Sequence, residues 1–119
     1  MIITRTPFRV SFAGGGSDIA SFYEKHGGCV LSTAINKYMY ISVHPSFNSN
    51  QTVLKYSKTE SVTDIDKIEH KYFREMLKRL DVHGVELVST ADVPAGTGLG
   101  SSSSFTVGVL HALYAFKGK

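Results

Sequence analysis

Residues 94–104 read Pro-Ala-Gly-Thr-Gly-Leu-Gly-Ser-Ser-Ser-Ser and lead into an apolar stretch whose spacing predicts a helix over 101–116. We call residues 94–104 the glycine–serine loop. Its glycines, at positions 96, 98 and 100, allow the backbone to turn tightly and to approach a ligand closely. A helix N-terminus offers about four amide N–H groups without partners and about half a positive charge. The stretch therefore predicts an anion site, and phosphate is the anion that fits it best.

The residues around the glycine–serine loop agree with a phosphate site. No charged residue occurs from Val93 to Phe116, and a carboxylate there would repel phosphate. The loop is neither of two common phosphate motifs, because no lysine follows Gly100 and the glycine spacing differs from Gly-x-Gly-x-x-Gly. A structural alternative stays open at this point, in which a glycine-rich turn only caps a buried helix.

A second motif begins in a predicted strand over residues 1–12. Polar and apolar residues alternate there with the period of a half-buried strand, which places Arg9 and Ser11 on one face. The opposite, apolar face comprises Phe8, Val10 and Phe12.

The predicted strand ends in Gly-Gly-Gly-Ser-Asp, residues 14–18, which we call the triple-glycine loop. Three consecutive glycines propagate neither a strand nor a helix, so a tight turn is expected. Ser17 is the expected N-cap of a short helix that follows. Asp18 has two open interpretations: a charge that favours the helix N-terminus, or an acceptor for sugar hydroxyls.

The remaining periodicities predict a mixed α+β chain rather than a regular alternation of strand and helix. Cys29 lies in one of the apolar runs and is expected in the core. The expected helices cover residues 19–26, 65–80 and 101–116, and the expected strands cover 1–12, 29–31, 35–43, 52–56 and 85–90.

The composition excludes several classes of protein. The 119 residues carry 13 basic and 10 acidic side chains, a net charge of +3, and the scattered basic residues do not favour nucleic-acid binding. A single cysteine excludes an internal disulfide and is compatible with a cytoplasmic location. We expect neither a secretory signal nor a membrane span, since glycines and serines break the one long uncharged stretch.

The two motifs together resemble the GHMP kinases, a family named for galactokinase, homoserine kinase, mevalonate kinase and phosphomevalonate kinase. Pro94 to Ser102 matches the family's Pro-x-x-x-Gly-Leu-Gly-Ser-Ser motif at every fixed position, and residues 7–18 are similar to its N-terminal motif. Within the family, the triple-glycine loop and residues 27–31 and 34–38 look most like D-glycero-D-manno-heptose 7-phosphate kinases. The resemblance implies the α+β GHMP-kinase N-terminal domain, found also in a ribosomal protein, with a left-handed β-α-β crossover.

The resemblance also implies an activity: transfer of the γ-phosphoryl group of ATP, with Mg²⁺, to the anomeric hydroxyl of a heptose 7-phosphate, for heptose incorporation into surface polysaccharide. Arg9 is the implied catalytic residue, which stabilises charge on the transferred group. Ser101 and Ser102 are the implied metal ligands. The implied substrate-binding residues are Gly14, Gly15, Gly16, Ser17 and Asp18. The implied ATP-binding residues are Pro94, Ala95, Gly96, Thr97, Gly98, Leu99, Gly100, Ser101, Ser102 and Ser103.

Members of the family continue well beyond position 119. We therefore expect residues 1–119 to form part of the N-terminal, ATP-binding domain, without the C-terminal domain and with little kinase activity alone. The expected partners are ATP and a sugar phosphate, with no nucleic acid and no membrane, and a homodimer is left open. The alternatives are another GHMP sugar kinase (fucokinase-like, for example), a non-catalytic RNA-binding module of the same fold, or a self-associating fragment.

Overall fold

The computed structural model describes residues 1–119 as a mixed α+β chain, which confirms the predicted fold class. The strands are β1 (Ile2–Ala13), β2 (Leu31–Pro45), β3 (Thr52–Lys55), β4 (Thr59–Val62) and β5 (Val85–Ala91). The helices are α1 (Ala20–His26), α2 (Lys71–Leu80) and α3 (Ser101–Phe116), and a short 3₁₀ turn covers Ile65–Lys67. Strand β4 has no counterpart among the expected strands.

The five strands form one sheet in the order β1-β2-β5-β3-β4. Strands β3 and β5 are parallel, and every other neighbouring pair is antiparallel. A parallel pair needs a crossover connection, and α2 lies within it. Every second side chain of the central strands faces α2 and α3, where a single cluster of 16 buried apolar residues forms the core.

Helix α3 begins and ends where the sequence predicts, and it packs closely on the first two strands. A Cβ built on Gly108 would lie 3.1 Å from Ile41 Cγ1 and from Thr6 Oγ1, so this helical glycine permits the close approach. The hydroxyl of Thr4 donates to the Gly108 carbonyl at 2.9 Å. No helix of the chain combines the length and the apolarity needed to cross a membrane.

Strand β1 is irregular at two places, between Pro7 and Arg9 and between Ser11 and Ala13. Such bulges shift the alternation of side chains between the two faces of a sheet. Phe8 is fully buried, but Val10 is half-buried and Phe12 is 68% exposed, so the expected common apolar face is wrong beyond Phe8.

The expected separate strand at 29–31 is also wrong, because β2 begins at Leu31 and continues unbroken to Pro45. Cys29 lies in the preceding coil and is exposed, which corrects its expected place in the core. The segment packs on the triple-glycine loop instead of joining the sheet. The Ser17 hydroxyl donates to the Cys29 carbonyl at 2.9 Å and to the Gly14 carbonyl at 2.6 Å.

Those two hydrogen bonds explain why Ser17 is not the N-cap of α1. The N-cap is Ile19, without a side-chain hydrogen bond, and Gly27 ends the helix with a φ of 68°. None of the seven residues of α1 is buried, so its apolar side chains remain on the surface.

The helix expected over 65–80 is divided into the 3₁₀ turn and α2. Side chains compete with the helical backbone at the division, because they accept hydrogen bonds from its amides. The Glu60 carboxylate accepts from the amides of Glu69 and His70, at 2.7 and 3.3 Å. His70 then starts α2 as its N-cap, with Nδ1 accepting from the Phe73 amide at 3.4 Å.

Candidate functional site

The glycine–serine loop adopts the left-handed backbone that its glycines predict. Gly96, Gly98 and Gly100 have φ values of 81°, 73° and 74°, a region that costs other residues about 1–2 kcal/mol. Gly100 is the N-cap of α3 and supplies no side chain to cap it. The start of the longest helix is therefore left without an internal acceptor for its amides.

Eight consecutive backbone amides, from Gly96 to Ser103, donate no hydrogen bond within the chain. The first amide of the helix with a partner is that of Ser104, which donates to the Gly100 carbonyl at 2.9 Å. Free amides at a helix N-terminus, together with the helix dipole, attract an anion.

Arg9 lies against this helix start. Its backbone amide donates to the Leu99 carbonyl at 3.0 Å. Its side chain lies across Gly100, since a Cβ built there would be 3.0 Å from Arg9 Cγ and 3.4 Å from Cζ. The guanidinium Nη1 donates to Ser11 Oγ at 3.1 Å, so Arg9 and Ser11 share a face as expected. The structure thus brings one predicted site residue, Arg9, together with the glycine–serine loop.

The serine hydroxyls at the helix start have different surroundings. Ser104 is buried, and its hydroxyl donates to the Pro7 carbonyl at 2.9 Å, so it ties α3 to β1. The hydroxyls of Ser101 and Ser102 make no hydrogen bond within the chain and border a cavity. No group of three or more His, Cys, Asp or Glu side chains is arranged to hold a metal ion. A cation at Ser101 and Ser102 would therefore take most of its ligands from phosphate oxygens and water.

A cavity of about 560 Å³ adjoins the helix start, between the sheet and the beginnings of α2 and α3. We call it the aromatic pocket, because Tyr56, His70, Tyr72 and Phe105 contribute to its wall. Its volume is in the usual range for small-molecule sites. The remaining lining residues are Met39, Ser57, Ser89, Ala91, Val93, Ala95, Gly96, Ser101 and Ser102.

His70 is the central ring of this aromatic group. Its ring centroid lies 4.7 Å from that of Tyr56, 4.8 Å from that of Phe73 and 5.2 Å from that of Phe105. Burial lowers the pKa of His70, because desolvation disfavours the charged imidazolium, although the nearby Glu60 carboxylate acts in the opposite sense.

Tyr56 and Glu60 form a hydrogen-bonded pair beside His70. The Tyr56 hydroxyl donates to Glu60 Oε2 at 2.7 Å. Burial and this carboxylate raise the pKa of Tyr56 to about 12. Desolvation would raise the pKa of Glu60, but hydrogen bonds from Tyr56 and two backbone amides outweigh it and lower that pKa. The phenol is thus neutral and the carboxylate ionised at neutral pH.

Sequence reasoning missed the aromatic pocket, because it assigned His70 to the interior of one long helix. The sequence carries little signal for this N-cap, because the favoured N-cap residues are Ser, Thr, Asp, Asn and Gly rather than histidine.

The triple-glycine loop forms a separate unit at the far end of β1. Cβ atoms built on Gly14 and Gly28 would lie 1.9 Å from the Cys29 carbonyl oxygen and 2.0 Å from that of Ser17, so both glycines are required by close backbone contacts. Asp18 is exposed, and its Oδ1 accepts from the Gly16 amide at 3.2 Å. No hydrogen bond joins residues 14–18 to the glycine–serine loop.

Comparison with known proteins gives matches in sequence and in structure. Residues 67–119 match the model of the GHMP kinases N-terminal domain. The chain is 31% identical, over 93% of its length, to a D-glycero-α-D-manno-heptose 7-phosphate kinase of Campylobacter jejuni, and 29% identical, over 94%, to a galactokinase of Pyrococcus furiosus. It spans about a third of these relatives, 36% and 33% of their lengths.

Two solved structures have the same fold over nearly the whole chain. A D-glycero-D-manno-heptose 1-phosphate kinase of Bacteroides thetaiotaomicron superposes with a TM-score of 0.85 at 23% identity, covering 100% of this chain and 43% of that one. A putative sugar kinase of Campylobacter jejuni gives 0.73 at 26% identity, covering 98% and 41%. Residues 67–119 thus match the GHMP kinase N-terminal domain in sequence, and the whole chain has the fold of these kinase structures.

Proposed function

We propose that this chain is the ATP-binding part of a sugar kinase, which transfers the γ-phosphoryl group of ATP to the anomeric hydroxyl of a heptose 7-phosphate in the cytoplasm. The observation that carries the proposal is the run of free amides from Gly96 to Ser103, with the Arg9 side chain lying across its helix end. The rest of the sugar site and the catalytic base are proposed to come from other parts of the whole protein.

The glycine–serine loop would hold the phosphates of ATP. Its amides without partners lead up to a helix N-terminus, no carboxylate lies within the loop, and the neighbouring aromatic pocket has room for a base. Ser101 and Ser102 border both the loop and the pocket, so a nucleotide could extend from one into the other. ATP supplies the transferable phosphoryl group, and the chain supplies its position and the surrounding positive potential.

Arg9 would stabilise the charge that develops on the transferred group. Its position is fixed from both ends, by the backbone hydrogen bond to Leu99 and by the guanidinium hydrogen bond to Ser11. A donor that is held in place before the reaction needs no reorganisation when charge develops. The Ser101 and Ser102 hydroxyls are the proposed protein ligands of Mg²⁺, which would neutralise further phosphate charge.

The triple-glycine loop would bind the sugar, with Asp18 as an acceptor for hydroxyl groups. Only one of its carboxylate oxygens is hydrogen-bonded within the loop. The similarity to a heptose 7-phosphate kinase favours a heptose, and the similarity to a galactokinase supports a hexose as the second candidate. Thermal shift of the whole protein with heptose 7-phosphate and with galactose, each beside a non-hydrolysable ATP analogue, separates the two.

The phosphate site is tested by binding of a non-hydrolysable ATP analogue with Mg²⁺ to the whole protein, measured by calorimetry. We expect Gly98→Asp to weaken binding at least tenfold, since like charges about 4 Å apart repel by about 4 kcal/mol at an effective dielectric constant of about 20. Gly118→Asp is the matched control, because Gly118 has nearly the same φ, 72° against 73°, and similarly open surroundings outside the loop. Unchanged affinity in Gly98→Asp would overturn the proposed function.

A further inference from the structure

We propose that His70 recognises the base of the bound nucleotide: its Nε2–H donates a hydrogen bond to a ring nitrogen of a purine in the aromatic pocket. This inference rests on the proposed function, because it takes the pocket next to the glycine–serine loop to be the base site. It adds the N-cap residue of α2 to the proposed phosphate site, which lies at β1 and the start of α3.

The N-cap role of His70 determines which ring nitrogen carries the proton. Nδ1 accepts a hydrogen bond from the Phe73 amide at 3.4 Å, and an accepting nitrogen has no proton. A neutral imidazole has one N–H, so the proton lies on Nε2. Burial of the ring favours this neutral form. The start of α2 therefore fixes His70 as a donor at Nε2.

The position of Nε2 makes it available to a ligand. It has no hydrogen-bond partner within the chain, and no buried side-chain nitrogen or oxygen lacks a partner, so Nε2 is accessible. The ring borders the aromatic pocket, and its orientation is restricted by Tyr56, Phe73 and Phe105 packed around it. A donor held in this way prefers one acceptor position.

Two other polar groups of the pocket wall already have partners within the chain. The Tyr56 hydroxyl is committed to Glu60 at 2.7 Å, and the Ser89 hydroxyl lies 3.5 Å from the Met39 sulfur. The rest of the wall is mainly apolar or aromatic and suits the faces of a flat ring. A purine offers that flat surface together with ring nitrogens that accept hydrogen bonds.

The test measures binding of ATP and of 1-deaza-, 3-deaza- and 7-deaza-ATP to the whole protein, because each analogue replaces one ring nitrogen by C–H. We expect one of the three to bind about 2- to 10-fold more weakly than ATP, the range for loss of a neutral hydrogen bond. Two variants then remove the N–H from the position of Nε2: asparagine is too short to place its NH₂ group there, and phenylalanine has no N–H. His70→Asn keeps an N-cap acceptor for α2, and His70→Phe keeps an aromatic ring in the cluster.

We expect both variants to bind ATP more weakly, by the same factor by which the affected deaza analogue binds the unaltered protein more weakly than ATP does. Each variant should then bind ATP and that analogue equally well. Thermal unfolding of each variant checks that it folds. The role of His70 would be overturned if the unaltered protein bound ATP and the three deaza analogues equally well, or if both variants still bound ATP more tightly than the affected analogue. Either result would leave the proposed function standing. Absence of ATP binding, or ATP binding unaffected by Gly98→Asp, would overturn the proposed function together with this inference.

Discussion

Arg9 illustrates how a single side chain can be held without a salt bridge. No carboxylate pairs with it, and its position comes from a backbone hydrogen bond to Leu99, contact across Gly100 and a hydrogen bond to Ser11. Its positive charge is therefore not neutralised by the chain. A charge held in place in this way is suited to act on an anion beside the helix start.

We predict that Arg9→Ala lowers kcat of the whole enzyme by about 10²–10³-fold, the usual effect of removing one donor to developing charge. The dissociation constant for ATP should change much less, because the charge that Arg9 stabilises is greatest in the transition state. Steady-state kinetics and equilibrium binding measure the two quantities. Arg9→Lys is the matched control, which keeps the charge without the planar guanidinium, and kcat should be intermediate. An unchanged kcat in Arg9→Ala would remove Arg9 from the reaction.

Gly100 allows the contact between Arg9 and the loop to be tested separately from backbone strain. Gly98 and Gly100 have almost the same φ, 73° and 74°, but a Cβ meets nothing within 4 Å at Gly98 and meets Arg9 at Gly100. Both alanine variants should lose about 1–2 kcal/mol of unfolding free energy. We predict that kcat falls further in Gly100→Ala than in Gly98→Ala, because Arg9 must move. Equal kcat values in the two variants would contradict the contact.

At the scale of elements, the start of α2 couples helix formation to the protonation of one residue. Nδ1 of His70 accepts from the Phe73 amide only when it is unprotonated. Acid would therefore remove the hydrogen bond that caps α2.

We predict that the free energy of unfolding decreases as the pH falls below about 6.5, the ordinary pKa of histidine. Burial lowers the pKa of His70, so in that range the unfolded chain binds a proton that the folded chain does not. The stabilising contribution is complete above pH 6.5. Lowered carboxyl pKa values of Glu60, Asp66 and Glu86 add a second decline that begins only near pH 4–5.

Urea unfolding at pH 7.5, 6.5 and 5.5 measures this effect, with His70→Asn as the reference. Asparagine caps a helix without titrating, and the other four histidines are the same in both proteins. As the pH falls, the unfolding free energy of the unaltered protein should therefore decrease more than that of His70→Asn. A difference that does not depend on pH would contradict the assignment.

The helices show which elements could be predicted from the sequence. The sequence predicts the bounds of helix α3, because the glycine–serine loop precedes it and an apolar periodicity continues to its end. The helix expected over 65–80 also had a helical period, but Glu60 lies outside that window and its carboxylate takes the amides of Glu69 and His70. A periodicity within one segment carries no information about an acceptor on another strand.

At the scale of the whole molecule, the α+β class followed from the order of periodic segments, but the sheet order did not. The parallel pairing of β3 with β5 depends on contacts between distant segments. For the candidate site, the sequence predicted the loop and Arg9 as separate motifs. Their contact lies next to the irregularity of β1 between Pro7 and Arg9, and His70 borders the aromatic pocket as the N-cap of α2, two features that the sequence did not predict. The predicted roles of the residues in both loops stay predictions.

Strand β1 has a further consequence for the size of molecule that the two loops could serve together. Arg9 and Ala13 lie on the same strand, which at about 3.3 Å per residue separates them by roughly 13 Å. The hydrogen bonds from Thr4 to Gly108 and from Ser104 to Pro7 oppose sliding of the strand along α3. A sugar substrate of a different length would therefore have to be accommodated by changes in residues 14–18. The part of β1 that contacts α3 would keep its register.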